Sequence, residues 1–221
     1  MSKTVVVTGA NRGIGLSFCR QLSKQGANVF AVCRQASTEL KQLNVTIVDG
    51  VDVSQPDDIV RLGESLVSRS IDLLINNAGI LSNEVLGQID YDAINQQFQV
   101  NAIGPLRVTE ALMTQLNNDA KVAMITSRMG SIADNSSGGR YGYRMSKAAL
   151  NIAAVSLAKD LAARGIAIGI YHPGLVATEM IGGHGDITPD QAAERLLMRI
   201  DELTPASSGE IFHSNGEPLP W

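Results

Sequence analysis

Two tyrosines and a lysine lie close together in the segment YGYRMSKAAL, residues 141–150, of a chain in which only 4% of the residues are aromatic. Tyr143 and Lys147 are four residues apart, so a helix places both side chains on one face, whereas Tyr141 lies six residues from the lysine and falls on another. A neighbouring ammonium stabilises a phenolate and lowers the pKa of the phenol. The spacing therefore indicates Tyr143 as a general acid or base. Taken alone, it also fits an ordinary pair on a helix surface.

Glycines are concentrated near the start of the chain, in VVVTGANRGIGLS. Gly9, Gly13 and Gly15 follow an apolar, strand-like run and lead into a helical segment. A helix N-terminus presents unpaired N–H groups and the positive end of its dipole, and glycines let a pyrophosphate approach the backbone. The spacing G-x3-G-x-G differs from the usual G-x-G-x-x-G fingerprint. A strand–helix turn that binds nothing remains the alternative.

Two arginines accompany the glycine turn. The second predicted strand ends in Cys33 and Arg34, where an acidic residue would bind the ribose 2′-hydroxyl of NAD. Arg12 lies within the glycine turn itself. Guanidinium groups suit phosphate because their donors form a planar fork. We therefore expect Arg12 and Arg34 to bind a 2′-phosphate, which favours NADP(H), with a solvated loop position as the alternative for Arg34.

The elements that must position these residues alternate along the chain between β-branched runs and amphipathic segments. The runs are continuously apolar, which is typical of parallel strands covered on both faces. Alternation of this kind implies βαβ crossovers. We predict one Rossmann-type, doubly wound parallel α/β sheet of about seven strands with helices on both faces, and Ser54 and Thr188 as helix N-caps. The predicted strands are 4–8, 29–33, 45–48, 72–76, 122–126, 167–171 and 210–213, and the predicted helices are 13–25, 56–68, 91–116, 143–163 and 189–203.

Composition and charge exclude several other classes of protein. The 221 residues are 44% hydrophobic and 18% charged, which is ordinary for a globular chain. No linker divides them, so we expect a single domain over residues 1–221. The net charge of −4, without a basic block, argues against a nucleic-acid partner. No apolar run is long enough to span a membrane and no signal peptide is apparent, so we expect a cytoplasmic protein. Cys19 and Cys33 are expected as buried thiols, with a disulfide as the alternative, and no metal site is expected.

Taken together, the motifs resemble those of the short-chain dehydrogenase/reductase family. TGANRGIG at residues 8–15 is similar to its cofactor turn, NNAG at 76–79 to its motif after the fourth strand, and HPGLVATEM at 172–180 to its segment beside the nicotinamide. The motifs occur in the order of the family and cover nearly the whole chain. SRMGSIADNSSGG and the closing GEPLPW resemble more narrowly the C-factor/sniffer-like carbonyl reductase branch.

The resemblance implies a catalytic tetrad of Asn101, Ser127, Tyr143 and Lys147. Tyr143 would donate a proton to the developing alkoxide and Ser127 would hold that oxygen, while Lys147 would also bind the nicotinamide ribose. Asn101 would bend its helix and hold a water that passes protons to Lys147. The residues implied in NADP(H) binding are Gly9, Asn11, Arg12, Gly13, Ile14, Gly15, Arg34, Asp52, Val53, Asn77, Ala78, Gly79, Tyr143, Lys147, Pro173, Gly174, Val176 and Thr178.

Departures from the family pattern leave alternatives open. Ser127 and Tyr143 are 143 − 127 = 16 residues apart, a little more than is common, so Ser131 is a rival for the serine role. The segment EMIGGHGD is short for a substrate lid. We expect His172 to be structural and His184 to be exposed. An apolar substrate wall could be formed by Leu81, Met129 and Met180, which fit plain core or loop positions nearly as well.

The expected function is NADPH-dependent hydride transfer to the carbonyl of a small aldehyde or ketone. A dinucleotide-binding signalling protein with little turnover is the alternative from another class, and reduction of a pteridine or an enoyl bond is a third. Small residues dominate the predicted helix 143–163, which allows close helix–helix approach. Because the family commonly pairs such helices across a two-fold axis, we expect a homodimer or homotetramer.

Overall fold

A computed structural model describes residues 2–221 as one seven-stranded sheet flanked by helices. The strand order is β3-β2-β1-β4-β5-β6-β7, and every neighbouring pair is parallel. The predicted doubly wound α/β fold is therefore confirmed. The strands are β1 Thr4–Thr8, β2 Asn28–Val32, β3 Thr46–Val48, β4 Ile71–Asn76, β5 Leu116–Ile125, β6 Ala167–His172 and β7 Ile211–His213. The helices are α1 Gly13–Lys24, α2 Thr38–Lys41, α3 Pro56–Ser65, α4 Tyr91–Phe98, α5 Gly104–Ala111, α6 Tyr141–Asp160 and α7 Pro189–Glu202.

Helices cover both faces of the sheet, which explains the continuous apolar runs. Val5, Val6 and Val7 are all fully buried, although successive strand side chains point to opposite faces. Val5 and Val7 belong to the core formed with α1 and α7, and Val6 belongs to the core formed with α3, α5 and α6. Each core buries many aliphatic side chains. Removing apolar surface from water stabilises the fold by about 25 cal/mol per Å².

The predicted helix 91–116 is confirmed as far as Ala111, with a π-helical turn in the middle, and is wrong over 112–116. α4 ends at Phe98, a π-helical turn follows over Gln99–Ile103, and α5 ends at Ala111. Pro105, which lacks an N–H donor, occupies the first turn of α5, where the missing donor costs nothing. Leu116 belongs to β5, where it pairs with Ile71 across a register shift, so β5 begins six residues before the predicted boundary at 122.

The start of α6 and the N-cap of α3 differ from the prediction. α6 begins at Tyr141, not at Tyr143, and its N-cap is Arg140. Ser54 is not the cap of α3, because Gln55 holds that position and the Ser54 hydroxyl donates to Asp52. Thr188 does cap α7, in a reciprocal capping box with Gln191. The short helix α2 was not predicted.

Both cysteines are free and buried, as expected. Burial raises the pKa of Cys19 to about 12 and that of Cys33 to about 11, so both remain thiols at neutral pH. Among residues 2–221, no helix combines the length and the apolar character needed to cross a bilayer.

Candidate active site

A cleft lies at the carboxyl ends of the central strands, where the chain turns outward from β1 to one side and from β4 to the other. Such a switch point is where open parallel sheets bind ligands. The lining combines the glycine turn, the segment after β4, the end of β5, the start of α6 and the segment after β6. The lining residues are Gly9, Asn11, Arg12, Gly13, Ile14, Arg34, Asp52, Val53, Asn77, Ala78, Gly79, Ile80, Gln96, Val100, Ile125, Thr126, Tyr143, Lys147, Pro173, Thr178, Glu179 and Met180.

The glycine turn brings the N-terminus of α1 to the cleft. Gly13 and Ile14, the first residues of α1, line the cleft. Within the described residues, no side chain caps this terminus and no acidic residue lies in its first turn. Unpaired N–H groups and the positive end of the helix dipole are thus available to an anion. This donor set fits a pyrophosphate.

Gly15 shapes this turn from below. It is buried, and a Cβ at this position would lie 2.7 Å from Asn77 Nδ2 and 2.8 Å from the carbonyl carbon of Gly9. Asn77 in turn donates to the carbonyl oxygens of Thr8, at 3.0 Å, and Gly9, at 3.3 Å. The turn and the segment after β4 are therefore packed as one unit, which only a glycine at position 15 permits.

The two arginines predicted to bind a 2′-phosphate both line the cleft, and each lies beside a carboxylate. Arg12 Nη1 is 2.7 Å from Glu179 Oε2, and Arg34 Nη1 is 3.9 Å from Asp52 Oδ2. The arginine side chains are 58% and 64% exposed. Exposed ion pairs contribute roughly 0–1 kcal/mol, so a phosphate dianion can compete for both guanidinium groups.

Tyr143 and Lys147 line the cleft, and the buried Ser127 lies near Tyr143 behind the cleft surface. Ser127 lies close enough to Tyr143 to lower the pKa of its phenol. Lys147 Nζ lies 5.8 Å from the centre of the Tyr143 ring and donates to the carbonyl oxygen of Ile125 at 2.8 Å. Its other two N–H donors have no partner within residues 2–221, so they are available to a hydroxyl-bearing ligand.

The expectation that Lys147 lowers the pKa of Tyr143 does not hold in this structure. Desolvation by burial raises the pKa of Tyr143, while the Ser127 side chain and the charge of Arg140 oppose that rise without cancelling it. Burial also lowers the pKa of Lys147 to about 8. The ammonium lies 5.8 Å from the ring centre, and Lys147 is not among the groups that shift the pKa of the phenol.

Asn101 lies at the centre of the π-helical turn, which matches the predicted bend in its helix. Its Oδ1 accepts from Ile80 N at 2.8 Å, and its Nδ2 donates to Ile80 O and to Ser146 Oγ. The amide is thus occupied in tying α4–α5 to the segment after β4 and to α6. Its role in holding a water stays a prediction.

A tight turn after β5 holds Ser127. Its Oγ accepts from Met129 N at 3.1 Å, and the turn rests on α6 at Gly130. A Cβ on Gly130 would lie 2.8 Å from the carbonyl carbon of Lys147, so the turn contacts the helix backbone directly. Ser131 Oγ instead accepts from Asp134 N and caps its own loop. The Ser131 hydroxyl is thus occupied within its own loop, and Ser127 is the serine that affects the pKa of the phenol.

Some predicted positions lie behind the cleft and not on its surface. Of the predicted cofactor-binding residues, Gly15, Gly174 and Val176 do not line it. Of the predicted catalytic residues, Asn101 and Ser127 do not line it and are buried, as is Val176. Of the predicted wall residues, Met180 lines the cleft and Leu81 and Met129 do not. The two histidines follow the structural interpretation. His172 is buried, with a pKa lowered to about 3 by burial and by His213, and His184 is exposed.

Several lining residues were missed. Ile125 ends β5 and Thr126 follows it, so the rule that ligands bind at the carboxyl ends of parallel strands could have found them. No local signal distinguishes the other missed residues, because they enter the cleft through the packing of distant segments. These are Ile80, Gln96, Val100 and Glu179.

A buried carboxylate, also missed, anchors the start of α6. Glu84 is only 3% exposed, and its Oε2 accepts from Gly142 N at 3.1 Å, one residue before Tyr143. Its Oε1 accepts from Ser82 Oγ and from Gln97 Nε2. Burial raises the pKa of Glu84, but these hydrogen bonds outweigh that effect, so the pKa lies below its usual value. A carboxylate at a helix N-terminus also complements the helix dipole.

Glu84→Ala is expected to lower the free energy of unfolding by about 3 kcal/mol, because the donors of Gly142 and Gln97 lose a charged, buried acceptor. The melting temperature should fall by roughly 6–12 °C. Since the folded-state pKa is depressed, this stabilisation is present above the unfolded-state pKa and disappears as the pH falls through the folded-state value. Thermal unfolding of wild type and variant at neutral and acidic pH measures both effects. The control is Glu194→Ala, at an exposed position of α7. Equal melting temperatures for Glu84→Ala and wild type would contradict the anchoring role.

Comparison with known protein families shows a match over most of the chain. The family model described as short chain dehydrogenase matches residues 3–187. A 1-hydroxy-2-glutathionyl-2-methyl-3-butene dehydrogenase of Rhodococcus sp. strain AD45 is 41% identical, and the alignment covers 99% of each chain. The C-signal protein of Myxococcus xanthus is 44% identical over 68% of this chain and 93% of its own.

Among solved structures, an NADPH-bound carbonyl reductase from chicken fatty liver superimposes with a TM-score of 0.90. It is 30% identical in sequence, and the superposition covers 100% of this chain and 99% of that one. The likeness therefore includes the segments that form the cleft as well as the sheet.

Proposed function

The chain belongs to the short-chain dehydrogenase family, and from this we propose that it is an NADP(H)-dependent oxidoreductase that interconverts a carbonyl compound and its alcohol. The predicted resemblance to this family is confirmed, and the C-signal and carbonyl reductase matches agree with the narrower branch. The observation that carries the proposal is that Tyr143 and Lys147 line the same cleft as the glycine turn, with the buried Ser127 close enough to Tyr143 to affect the pKa of its phenol. A protein that only binds a dinucleotide has no use for such an acid–base group.

The residues of the cleft fit NADP(H). The free N-terminus of α1 suits the pyrophosphate, Arg12 and Arg34 suit a 2′-phosphate, and the spare donors of Lys147 suit ribose hydroxyls. The structure of the chicken carbonyl reductase contains bound NADPH. When bound, the reduced nicotinamide supplies a hydride to the carbonyl carbon.

Tyr143 and its neighbours supply the proton that the reduction requires. Tyr143 donates its phenolic proton to the carbonyl oxygen as negative charge develops there, and Ser127 holds that oxygen through a hydrogen bond. The phenolate that remains is stabilised by Ser127 and by the charge of Arg140. In the oxidative direction the same phenolate accepts the proton of the alcohol.

Turnover in both directions tests the proposal. We expect NADPH oxidation, followed by the loss of nicotinamide absorbance, with at least some members of a panel of aldehydes, ketones and diketones. The corresponding alcohols are assayed with NADP⁺, because the Rhodococcus relative is named as a dehydrogenase of a hydroxy compound. A chain that binds NADPH but turns over none of these substrates in either direction would refute the proposal.

Cofactor preference depends on the two arginines. Arg34→Ala is expected to raise the KM for NADPH by about 10–100-fold, through loss of charge-assisted hydrogen bonds to the 2′-phosphate. The KM for NADH, which lacks that phosphate, should change far less. Lys41→Ala is the matched control, because it removes one positive charge from neighbouring α2 without touching the cleft. If wild-type protein uses NADH as well as NADPH, the role assigned to Arg12 and Arg34 is wrong.

A signalling protein that binds a dinucleotide with little turnover is the second candidate, favoured by the likeness to C-signal. The same assay separates the two, because only an enzyme needs the proton of Tyr143. Assembly into a homodimer or homotetramer is also proposed. Met145 and Ile152 on α6 are 49% and 65% exposed, which leaves an apolar surface on this helix.

A further inference from the structure

Three consecutive residues before α6 have left-handed backbone conformations. The φ angles are +62° at Gly138, +63° at Gly139 and +51° at Arg140. Glycine adopts this region freely, but a side chain with a Cβ does so at a cost in energy. The conformation is held by Arg140 N, which donates to Glu84 O, and by Arg144 Nε, which donates to Gly139 O. The backbone thus fixes Arg140 at the N-cap of α6, three residues before Tyr143.

The side chain of Arg140 crosses toward the residues that surround the phenol. Its Nε donates to Asn83 Oδ1 at 3.0 Å, and its Nη1 lies 3.8 Å from Met129 Sδ. Asn83 lies in the segment after β4, and Met129 lies two residues after Ser127. The guanidinium therefore contacts two segments near Tyr143 and Ser127. Its charge lowers the pKa of Tyr143.

Arg140 differs from Arg12, Arg34 and Arg128 in having no acidic partner, and from Arg144 in having few of its donors occupied. Arg12 pairs with Glu179, Arg34 with Asp52, and Arg128 with Asp134. Arg144 is used up by loop carbonyls and by Ser137. Within residues 2–221, no carboxylate lies within 4.0 Å of the Arg140 guanidinium, which is exposed. An exposed cation without a counter-charge, held by a strained backbone beside the reacting group, can bind an anion.

We propose that Arg140 binds a carboxylate carried by the substrate, so that the enzyme prefers aldehydes or ketones with an anionic group a few bonds from the carbonyl. The inference rests on the proposed function, since it places the carbonyl at Tyr143. Arg140 belongs to the substrate side of the site, because it contacts the turn of Ser127 and does not line the cleft near Arg12 and Arg34. A guanidinium fork matches a carboxylate through two parallel hydrogen bonds.

The test compares 4-carboxybenzaldehyde with its neutral methyl ester in wild type, Arg140→Gln and Arg140→Lys. Wild type should show a kcat/KM for the acid at least roughly 10-fold above that for the ester, in line with loss of a charge-assisted hydrogen bond. Arg140→Gln should remove this preference, and Arg140→Lys should keep part of it. Arg195→Gln, at an exposed position of α7, makes the same change in net charge and should keep the wild-type ratio. An equal fall for acid and ester in Arg140→Gln would show that Arg140 acts only on the phenol, and would overturn the proposal.

A binding measurement separates this proposal from the proposed function. Calorimetric titration of wild type with 4-(hydroxymethyl)benzoate, in the presence of NADPH, with which an alcohol cannot react, should show binding that Arg140→Gln weakens by roughly 10-fold. Arg195→Gln should bind as wild type does. If the carboxylate binds through Arg140 but no carbonyl is reduced, the enzyme proposal fails and the anion site stands. If carbonyls are reduced and neither the ratio nor the binding depends on Arg140, the anion site is refuted.

Discussion

Tyr143→Phe is expected to lower kcat/KM for carbonyl reduction by about 10²–10⁴-fold, because the variant cannot donate a proton to the developing alkoxide. The fold should persist, since the substitution removes only a hydroxyl close to Ser127. Binding of NADPH should be largely retained, because the glycine turn and both arginines are unchanged. Steady-state kinetics and equilibrium titration with NADPH measure the two effects separately.

Tyr141→Phe provides a matched control. It removes the same hydroxyl two residues earlier on the same helix, from a residue that does not line the cleft. This variant should keep wild-type kinetics. If Tyr143→Phe instead retains most of the turnover, or if both variants lose it equally, Tyr143 is not the acid.

Gly15→Ala is expected to weaken NADPH binding by about 10–100-fold, because moving the turn misaligns N–H groups that donate to a charged pyrophosphate, and such hydrogen bonds contribute about 1.5–3 kcal/mol. A Cβ at position 15 would collide with the backbone of Gly9, which cannot yield without moving the turn. Overpacking of this kind also costs about 1–3 kcal/mol of stability. Fluorescence titration with NADPH, read with circular dichroism and thermal unfolding, distinguishes a distorted turn from an unfolded chain.

Gly63→Ala is the corresponding control. Gly63 lies within α3, where an added Cβ would meet its nearest neighbour, Ala111 O, at an ordinary contact distance of 3.5 Å. The substitution should leave NADPH binding unchanged and slightly stabilise the helix. A folded Gly15→Ala protein that binds NADPH as tightly as wild type would show that the close contact with Gly9 is not needed.

The sheet could be predicted because its signals are local. Val5, Val6 and Val7 form an unbroken apolar run that only a doubly covered strand explains, and all three are fully buried. Helix ends that depend on neighbouring residues, such as the cap at Thr188, could also be predicted. The start of α6 could not, since its first turn is held by Glu84, which is 58 residues distant from Gly142.

The sequence predicted which residues form the site, but not the pKa shifts and ion pairs within it. Spacing placed Tyr143 and Lys147 on one face of a helix, and the structure places both in the cleft. The pKa shift of the phenol could not be predicted, because it depends on the burial of the ring, which follows from the packing of several elements. The ion pair of Arg12 with Glu179 joins residues 167 positions apart, and nothing in either local sequence indicates it.

The contact of Gly130 with the backbone of α6 bears on how proteins of this kind diversify. Because the serine turn lies directly against the backbone of the tyrosine helix, any residue larger than glycine at position 130 would displace the two segments that carry the reacting groups. The rim of the cleft is different, since its segments meet through exposed polar contacts, such as Arg140 with Asn83 and Arg12 with Glu179. Natural variation can therefore remodel what enters the cleft while the proton-transfer geometry is inherited unaltered.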